Sequence, residues 1–246
     1  MLIFTLTLLY TLAYNLPGGS AQQTKLNELY QKRFFGEGTY YGQSYNQAKE
    51  TCQLRSMLPG KLSDYGIDST AAINIEQFTG SLTCGICLRV TGSGQGLGLN
   101  PLTGTYLVYV TDLCPSCKQG DVDFALVGDG RWNIDFTAVP CPFNDNVSYR
   151  FQDSSPWYIK IQVGNTRLPV TGMALYNGAS KEYVPMMRTN DGFWIMNPSI
   201  LNRYQRPIQY PLRVQLTSVR GEVLQDTVTG SAKGVVYTGS VQFTSQ

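Results

Sequence analysis

The chain has 246 residues and a formal net charge of +2, with 42% apolar and 15% charged residues. This length allows one large domain or two small ones, and so small and dispersed a charge argues against nucleic acid as a partner. Histidine is absent, which excludes Ser-His-Asp and Cys-His catalysis and removes the usual zinc ligand. Acid–base chemistry would therefore have to come from Asp, Glu, Lys, Tyr or Cys.

The N-terminus, residues 1–21, is predicted to be a signal peptide. Residues 1–13 are predominantly apolar and too few to span a bilayer comfortably, and the small residues 18–21 provide a cleavage site. A buried N-terminal helix or strand is the alternative interpretation. No later segment is apolar enough to cross a membrane, so we expect a secreted mature protein that makes no membrane contact.

The cysteine pattern predicts disulfides and two domains. An even number in an exported chain favours three disulfides, although two CxxC pairs leave a four-thiolate zinc site open as an alternative. Secretion argues against zinc, so neither a metal nor a cofactor is predicted. All cysteines precede residue 142, so the rest of the chain must fold without a covalent cross-link. The six are Cys52, Cys84, Cys87, Cys114, Cys117 and Cys141.

The cysteine-containing part of the chain is rich in glycine and in strand-forming residues. Segments 86–91 and 106–111 contain mostly β-branched and aromatic residues and are predicted strands. The glycine-rich segment 92–101 between them is predicted to be a loop. Segment 68–78 is the best helical candidate in this part of the chain.

The segment 142–147 is predicted to link two domains. Asn146 begins an Asn-Val-Ser glycosylation acceptor, which is usable only on an exposed surface. Strand candidates follow at 157–163, 212–216 and 235–241, of which the first two alternate apolar with polar residues over most of their length. Their spacing predicts a β-sandwich.

Three carboxylates are the candidates for acid–base chemistry. Asp112 ends a strand and precedes a tight loop containing Cys114 and Cys117, while Asp121 and Asp123 would share one face of a short strand. Like charges held close together raise at least one pKa, and a carboxyl group with a raised pKa can protonate a glycosidic oxygen. The alternative is that these residues are ordinary solvated surface acids.

Two further groups of residues suit a sugar ligand. Segment 36–42 combines glycines with Thr39 and Tyr41, whose hydroxyls can bond sugar hydroxyls, although it is equally consistent with an ordinary first strand. The aromatic residues of the second domain can pack against the flat faces of sugars. Strand alternation, however, puts Trp157 on the apolar face with Ile159. The four prominent aromatics are Trp157, Tyr158, Phe193 and Trp194.

Taken together, these features resemble the expansin family over nearly the whole mature chain. Each stretch is short, but the order and spacing of the set are specific. The matching stretches are 38–42, 84–90 with its CGxC pattern, 110–115 and 122–124 with one aspartate each, 138–141, 155–163, 212–214 and 239–243.

The resemblance implies a mainly all-β fold of two domains. Residues 33–145 would form a six-stranded double-psi β-barrel and residues 150–244 an immunoglobulin-like β-sandwich that binds cellulose. It also implies the disulfides Cys52–Cys84 and Cys87–Cys141, which leaves Cys114–Cys117.

The resemblance also implies roles for individual residues. Asp123 matches the family's essential aspartate and Asp112 its partner in an open groove, where Thr39 and Tyr41 would contact sugar. An aromatic platform would hold the polysaccharide on the second domain. Its members would be Trp157, Tyr158 and a third ring at Trp194, with Phe193 as the alternative.

Three functions follow from these features. The first is a secreted, monomeric, non-hydrolytic protein of the cell wall that binds cellulose or a related polysaccharide and loosens the wall by disrupting contacts between glucan chains. The second is an endoglucanase or lytic transglycosylase with Asp123 as the general acid and Asp121 or Asp112 as the base for hydrolysis. The third is an inert structural coat protein.

Overall fold

The chain begins, in the part that can be described, with a helix packed on the barrel. The computed structural model describes residues 17–42, 50–58 and 60–245, so most of the predicted signal peptide lies outside it. Helix α1 spans Pro17–Gln31 and buries Leu26 and Leu29, and Thr137 donates a hydrogen bond from Oγ1 to the carbonyl of Leu29 (3.1 Å). No described helix is long and apolar enough to span a membrane.

The first domain is a closed barrel of six strands, as predicted. The strand order is β1-β5-β2-β4-β3-β6, and β6 pairs back with β1. The pairs β1/β5 and β2/β4 are parallel, and the others are antiparallel. The strands are β1 (Phe34–Tyr40), β2 (Ser69–Asn74), β3 (Cys87–Leu97), β4 (Thr103–Cys114), β5 (Val122–Phe124) and β6 (Arg131–Val139).

Two local predictions for this domain were wrong. Most of segment 68–78 is the strand β2, all six residues of which are buried, followed by the single-turn helix α2 (Ile75–Phe78). A strand covered on both faces shows no alternation, so its sequence does not separate strand from helix. The predicted loop is also shorter, because β3 continues to Leu97. A Cβ on Gly92 would lie 2.4 Å from the carbonyl oxygen of Leu102, so this strand needs glycine there.

The second domain is a sheet of eight strands folded over on itself. The strand order is β13-β12-β9-β10-β11-β8-β7-β14. The first half of β10 pairs with β9 and its second half with β11. The strands are β7 (Ser148–Phe151), β8 (Lys160–Gly164), β9 (Val170–Asn177), β10 (Glu182–Arg188), β11 (Phe193–Met196), β12 (Leu212–Ser218), β13 (Val223–Val228) and β14 (Val236–Thr238).

A buried hydrogen bond shows that this sheet forms a sandwich. Tyr149 on β7 donates its hydroxyl to Asp226 on β13 over 2.8 Å, although these two strands lie near opposite ends of the strand order. The apolar residues enclosed between the two halves include Phe151, Ile161 and Val214. The predicted two-domain β architecture is therefore confirmed.

The three disulfides pair as the resemblance implied. The bonds are Cys52–Cys84, Cys87–Cys141 and Cys114–Cys117, and no cysteine is free. The alternative of a four-thiolate zinc site is therefore wrong, because all of its sulfurs are occupied. The two long-range bonds both lie in the first domain, where each closes a loop that the unfolded chain would otherwise leave open.

Arg188 fastens the two domains together. From the end of β10 it donates hydrogen bonds to the hydroxyl (2.9 Å) and the carbonyl (2.6 Å) of Ser81 in the first domain. The Ser81 hydroxyl in turn donates to the carbonyl of Thr189 (2.8 Å). Burial lowers the pKa of Arg188 to about 10, which indicates that the guanidinium is largely removed from water.

We expect Arg188→Ala to destabilise the protein by about 3 kcal/mol, because two charge-assisted hydrogen bonds to Ser81 and a longer one to the carbonyl of Val170 (3.4 Å) are lost and Ser81 keeps a buried carbonyl without its donor. The measurement is the free energy of unfolding in urea. Arg203→Ala is the matched control, since Arg203 makes an exposed ion pair with Glu182 (3.4 Å) and such pairs contribute less than about 1 kcal/mol. Equal losses for both variants would contradict this role of Arg188.

Candidate functional site: a barrel groove and an aromatic turn

Asp123 is held at the centre of the barrel site by Thr39. The two residues are paired across the parallel strands β1 and β5, and the Thr39 hydroxyl donates to Oδ1 of Asp123 over 2.6 Å. Burial raises the pKa of Asp123, the nearby charge of Asp112 adds to this, and the Thr39 hydrogen bond and Arg131 oppose it. Asp123 thus holds its proton to a higher pH than a free aspartate does.

Asp112 lies on the same row of the barrel as Asp123. Ala72 on β2 pairs with Asp112 on one side and with Asp123 on the other, so the two carboxylates flank a small side chain two strand spacings apart, about 10 Å. Asp112 is buried, and its Oδ1 accepts hydrogen bonds from the backbone amides of Thr51 (2.8 Å) and Leu113 (2.9 Å). The structure therefore brings the two predicted groove residues together.

The expectation that Asp121 and Asp123 form a pair of interacting acids was wrong. Asp121 precedes β5 and is buried. One carboxylate oxygen accepts from the amide of Glu37 (2.9 Å) and the other from the amide of Lys118 (2.9 Å). Asp121 therefore fixes the approach to the strand, and both of its oxygens are occupied by the backbone.

The Cys114–Cys117 disulfide lies against Asp123. Both sulfurs and a carboxylate oxygen of Asp123 lie within 4.8 Å of one another. In the described residues this is the one cluster with the spacing of a metal site, and its sulfurs are bonded to each other. The disulfide therefore forms part of the wall around the carboxyl group and pins the loop after β4.

The Tyr41 hydroxyl is turned into the protein, where it interacts with Thr70. Tyr41 is half-buried, and burial raises the pKa of its hydroxyl. The expectation that this hydroxyl bonds sugar is therefore not supported by its position. Thr39 is half-buried as well, and its hydroxyl is committed to Asp123.

Glu50 is a buried acid that the sequence analysis missed. Its carboxylate lies 3.0 Å from Nε of Arg55, and Arg55 also bonds Thr70. Burial raises the pKa of Glu50 to about 6, and Asp112 contributes while Arg55 opposes the shift. Its position two residues before Cys52 is the one sequence signal that it lies near the groove.

We expect Glu50→Gln to flatten part of the pH dependence of stability. A folded-state pKa of about 6 lies above that of an unfolded glutamate, so the contribution of Glu50 to the stability of the fold is fully present below the unfolded-state pKa. This contribution is lost as the pH rises through 6. The full loss is on the order of 2 kcal/mol. The measurement is the difference in unfolding free energy between wild type and variant at pH 4 and pH 7. A difference that stays constant over this interval would rule the prediction out.

Trp157 and Tyr158 lie on an exposed turn before β8. Backbone hydrogen bonds join Ser155 and Tyr158 in both directions (2.8 and 3.2 Å), which puts Pro156 and Trp157 at the tip. Trp157 is 61% exposed and Tyr158 37%. The alternation that places Trp157 in the core fails because the strand begins only at Lys160.

The expectation that Trp194 or Phe193 supplies the third platform ring was wrong. Trp194 is 3% and Phe193 1% exposed. Trp194 lies beneath the guanidinium of Arg188, 5.2 Å from its ring centre, and Phe193 beneath the ammonium of Lys160 at 4.7 Å. Both rings are occupied by cations of the protein and are closed to a polysaccharide.

A chain of hydrogen bonds connects the groove to the aromatic turn. The amide of Thr51 donates to Asp112, and the carbonyl of the next residue, Cys52, accepts from the side chain of Gln162 over 2.6 Å. Gln162 is buried on β8, four residues after Tyr158. The turn is therefore linked through β8 to the barrel segment that holds Asp112.

Comparison with known proteins shows which family and which solved structures this architecture resembles. Residues 146–244 match the family described as the expansin-like protein middle domain. The chain is also similar to the crystal structure of the apo expansin of Clavibacter michiganensis, with 26% identity and a TM-score of 0.67 over 86% of this chain and 98% of that one. The chain resembles the expansins.

The expansin-like similarity is not confined to the second domain, because 86% of the chain is far more than the range 146–244. A mutant of the same Clavibacter expansin, in a crystal structure with cellohexaose, matches with 24% identity, the same TM-score of 0.67 and the same coverage, and supports the fold. No curated protein matches this expansin-like chain.

Proposed function

We propose that the protein binds cellulose or a related wall glucan and loosens the wall without hydrolysing it. The observation that carries this proposal is the exposed turn of Trp157 and Tyr158, which Gln162 on the adjoining strand β8 links to the barrel domain that holds the protonatable carboxyl group of Asp123. Exposed aromatic rings pack on the flat faces of glucose units. The Clavibacter expansin mutant crystallised with cellohexaose supports a ligand of this class.

The groove would act on a second stretch of glucan. Asp123 in its protonated form donates a hydrogen bond to a glucan oxygen and so competes with the bonds between neighbouring chains. Thr39 holds the other carboxyl oxygen in place. Stacking of about 1 kcal/mol per ring gives modest, reversible affinity, which suits a protein that moves along a polymer.

The surroundings of Asp123 support a non-hydrolytic role. An inverting hydrolase needs a second carboxylate free to activate water. Both carboxylate oxygens of Asp121 accept hydrogen bonds from backbone amides, and one oxygen of Asp112 accepts from two backbone amides. The endoglucanase alternative draws on a specific observation nevertheless, which is that Asp112 and Asp123 flank Ala72 on one row.

One experiment separates these functions. The protein is incubated with amorphous cellulose, and both the bound fraction and the reducing sugars released are measured on the same sample. Binding without sugar release supports the proposal. Steady release that scales with protein would establish the hydrolase, and absence of both binding and release would contradict the proposal. Binding together with wall creep that does not change in Asp123→Asn would favour the inert coat protein.

We further propose that the protein acts outside the cell as a monomer. Three disulfides are typical of an oxidising compartment. Asn146 remains the predicted glycosylation site, and its side-chain amide donates one hydrogen bond to the carbonyl of Gly239 (3.1 Å). The signal peptide remains a prediction, since residues 1–16 lie outside the described range.

A further inference from the structure

A pocket of about 270 Å³ opens at one end of the sandwich. It lies between the end of β9, the start of β12 and the connecting segment 204–211. The amide of Ile208 in that segment donates to the carbonyl of Pro156 over 2.6 Å, so the pocket adjoins the turn that carries Trp157. Its volume suits a ligand the size of a single sugar ring, since it falls at the lower end of the range for small-molecule sites.

Arg213 is the one charged residue among the described residues that line this pocket. Its guanidinium stacks on the ring of Tyr176, 4.0 Å from the ring centre, and Tyr176 is braced by Tyr183 at 5.2 Å. Within the described part of the chain Arg213 has no carboxylate partner and no hydrogen bond. Arg213 is exposed, its guanidinium lies over one ring, and its positive charge is uncompensated among these residues.

The remaining lining supplies what a sugar ring requires. Gln205 accepts from the amide of Gly178 (3.0 Å) through Oε1, which leaves its NH2 group to donate. Gln209 is exposed and has no hydrogen-bond partner among the described residues. Tyr210 is 37% exposed and offers an aromatic ring. In the part of the chain that the structure describes, no aspartate or glutamate lines the pocket to repel an anion.

We propose that this pocket binds a uronic acid residue of an acidic polysaccharide. Arg213 pairs with the sugar carboxylate, for which the planar guanidinium is well shaped, Gln205 and Gln209 bond the hydroxyls, and Tyr210 packs on the ring. Tyr176 is a positioning residue, because it acts through the guanidinium stacked on it. The site is independent of cellulose binding by Trp157 and Tyr158, so the protein can engage an acidic and a neutral polymer from one end of the sandwich.

The test is calorimetric titration with trigalacturonic acid and with its fully methyl-esterified form, which has nearly the same size but no charge. We expect the acid to bind and the ester to bind at least about tenfold more weakly, because a charge-assisted hydrogen bond is lost. Arg213→Gln should weaken binding of the acid by a similar factor, and added salt should weaken it as well. Circular dichroism checks that the variant is folded.

Arg89→Gln is the matched control. Arg89 is an exposed arginine on β3 that, within the described residues, has no ion-pair partner, so this variant loses the same charge far from the pocket and should bind the acid normally. Equal binding of acid and ester, an equal loss with Arg89→Gln, or no binding of the acid by the wild type would each overturn the proposal. The Trp157→Ala, Tyr158→Ala double variant should keep trigalacturonate binding, which separates this result from the outcome for cellulose.

Discussion

Replacing Trp157 and Tyr158 together by alanine should reduce retention on microcrystalline cellulose to near the level of a non-binding protein. Both rings are exposed at a turn, Trp157 more than Tyr158, so their truncation removes aromatic surface available to the glucan. Stacking of about 1 kcal/mol per ring corresponds to a loss of roughly 30-fold in affinity for the pair. Depletion binding isotherms measure this directly.

Phe35→Ala is the control for this experiment. Phe35 is a strongly exposed aromatic residue on the barrel strand β1, so its loss tests whether any exposed ring contributes to non-specific adsorption. The proposal requires Phe35→Ala to bind as the wild type does and the double variant to keep its unfolding temperature. If the double variant were retained like the wild type, the turn would not be the cellulose-binding surface.

The strand content of this fold follows from the sequence where one face is buried. β12 alternates buried and non-buried residues from Leu212 to Ser218, and the pattern is visible in its letters. β2 is buried at all six positions, so it lacks a period and was predicted as helix. The closure of the barrel depends on the pairing of β1 with β6 across a hundred residues, which no local pattern encodes and which only the family resemblance supplied.

The site was predictable in its residues but less so in their orientation. Asp112 and Asp123 were identified from their motifs, yet the shared neighbour Ala72 appears only once β2 lies between them. Strand alternation put Trp157 on the buried face, whereas the family resemblance put it on the exposed platform. The two disagreed because the start of β8 was unknown. Trp194 is buried on β11 beneath Arg188, its cross-strand partner on β10, and the letters of β11 alone do not show this pairing.

The contact between domains also decides what the groove can do. Gln162 joins β8 to Cys52, and Arg188 joins β10 to Ser81. A glucan held on the turn, as proposed, would therefore reach the barrel site in a fixed direction, without a hinge that must first close. Preorganisation of this kind reduces the entropy lost when a polymer binds at both places.

Asp123→Asn should abolish wall loosening while cellulose binding stays at the wild-type level. The amide keeps the shape of the carboxyl group and its hydrogen bond from Thr39, but its NH2 group forms a longer and weaker hydrogen bond to a glucan oxygen than the acidic hydroxyl of a protonated carboxyl group does. Because burial raises the pKa of Asp123, the wild type should loosen walls in acid and lose this activity as the pH rises above the pKa of the carboxyl group. The measurement is creep of isolated cell walls under constant load across this pH range, beside a cellulose binding isotherm.

Stability distinguishes a functional loss from a structural one. A carboxyl group with a raised pKa weakens the folded state once it ionises, so Asp123→Asn should unfold at the same temperature as the wild type or higher at neutral pH. Asp129→Asn removes an exposed carboxylate elsewhere on the barrel and should leave creep unchanged. Undiminished creep with Asp123→Asn would show that the barrel carboxyl group has no part in loosening, and it would leave the second domain's aromatic turn as a binding surface without an active partner.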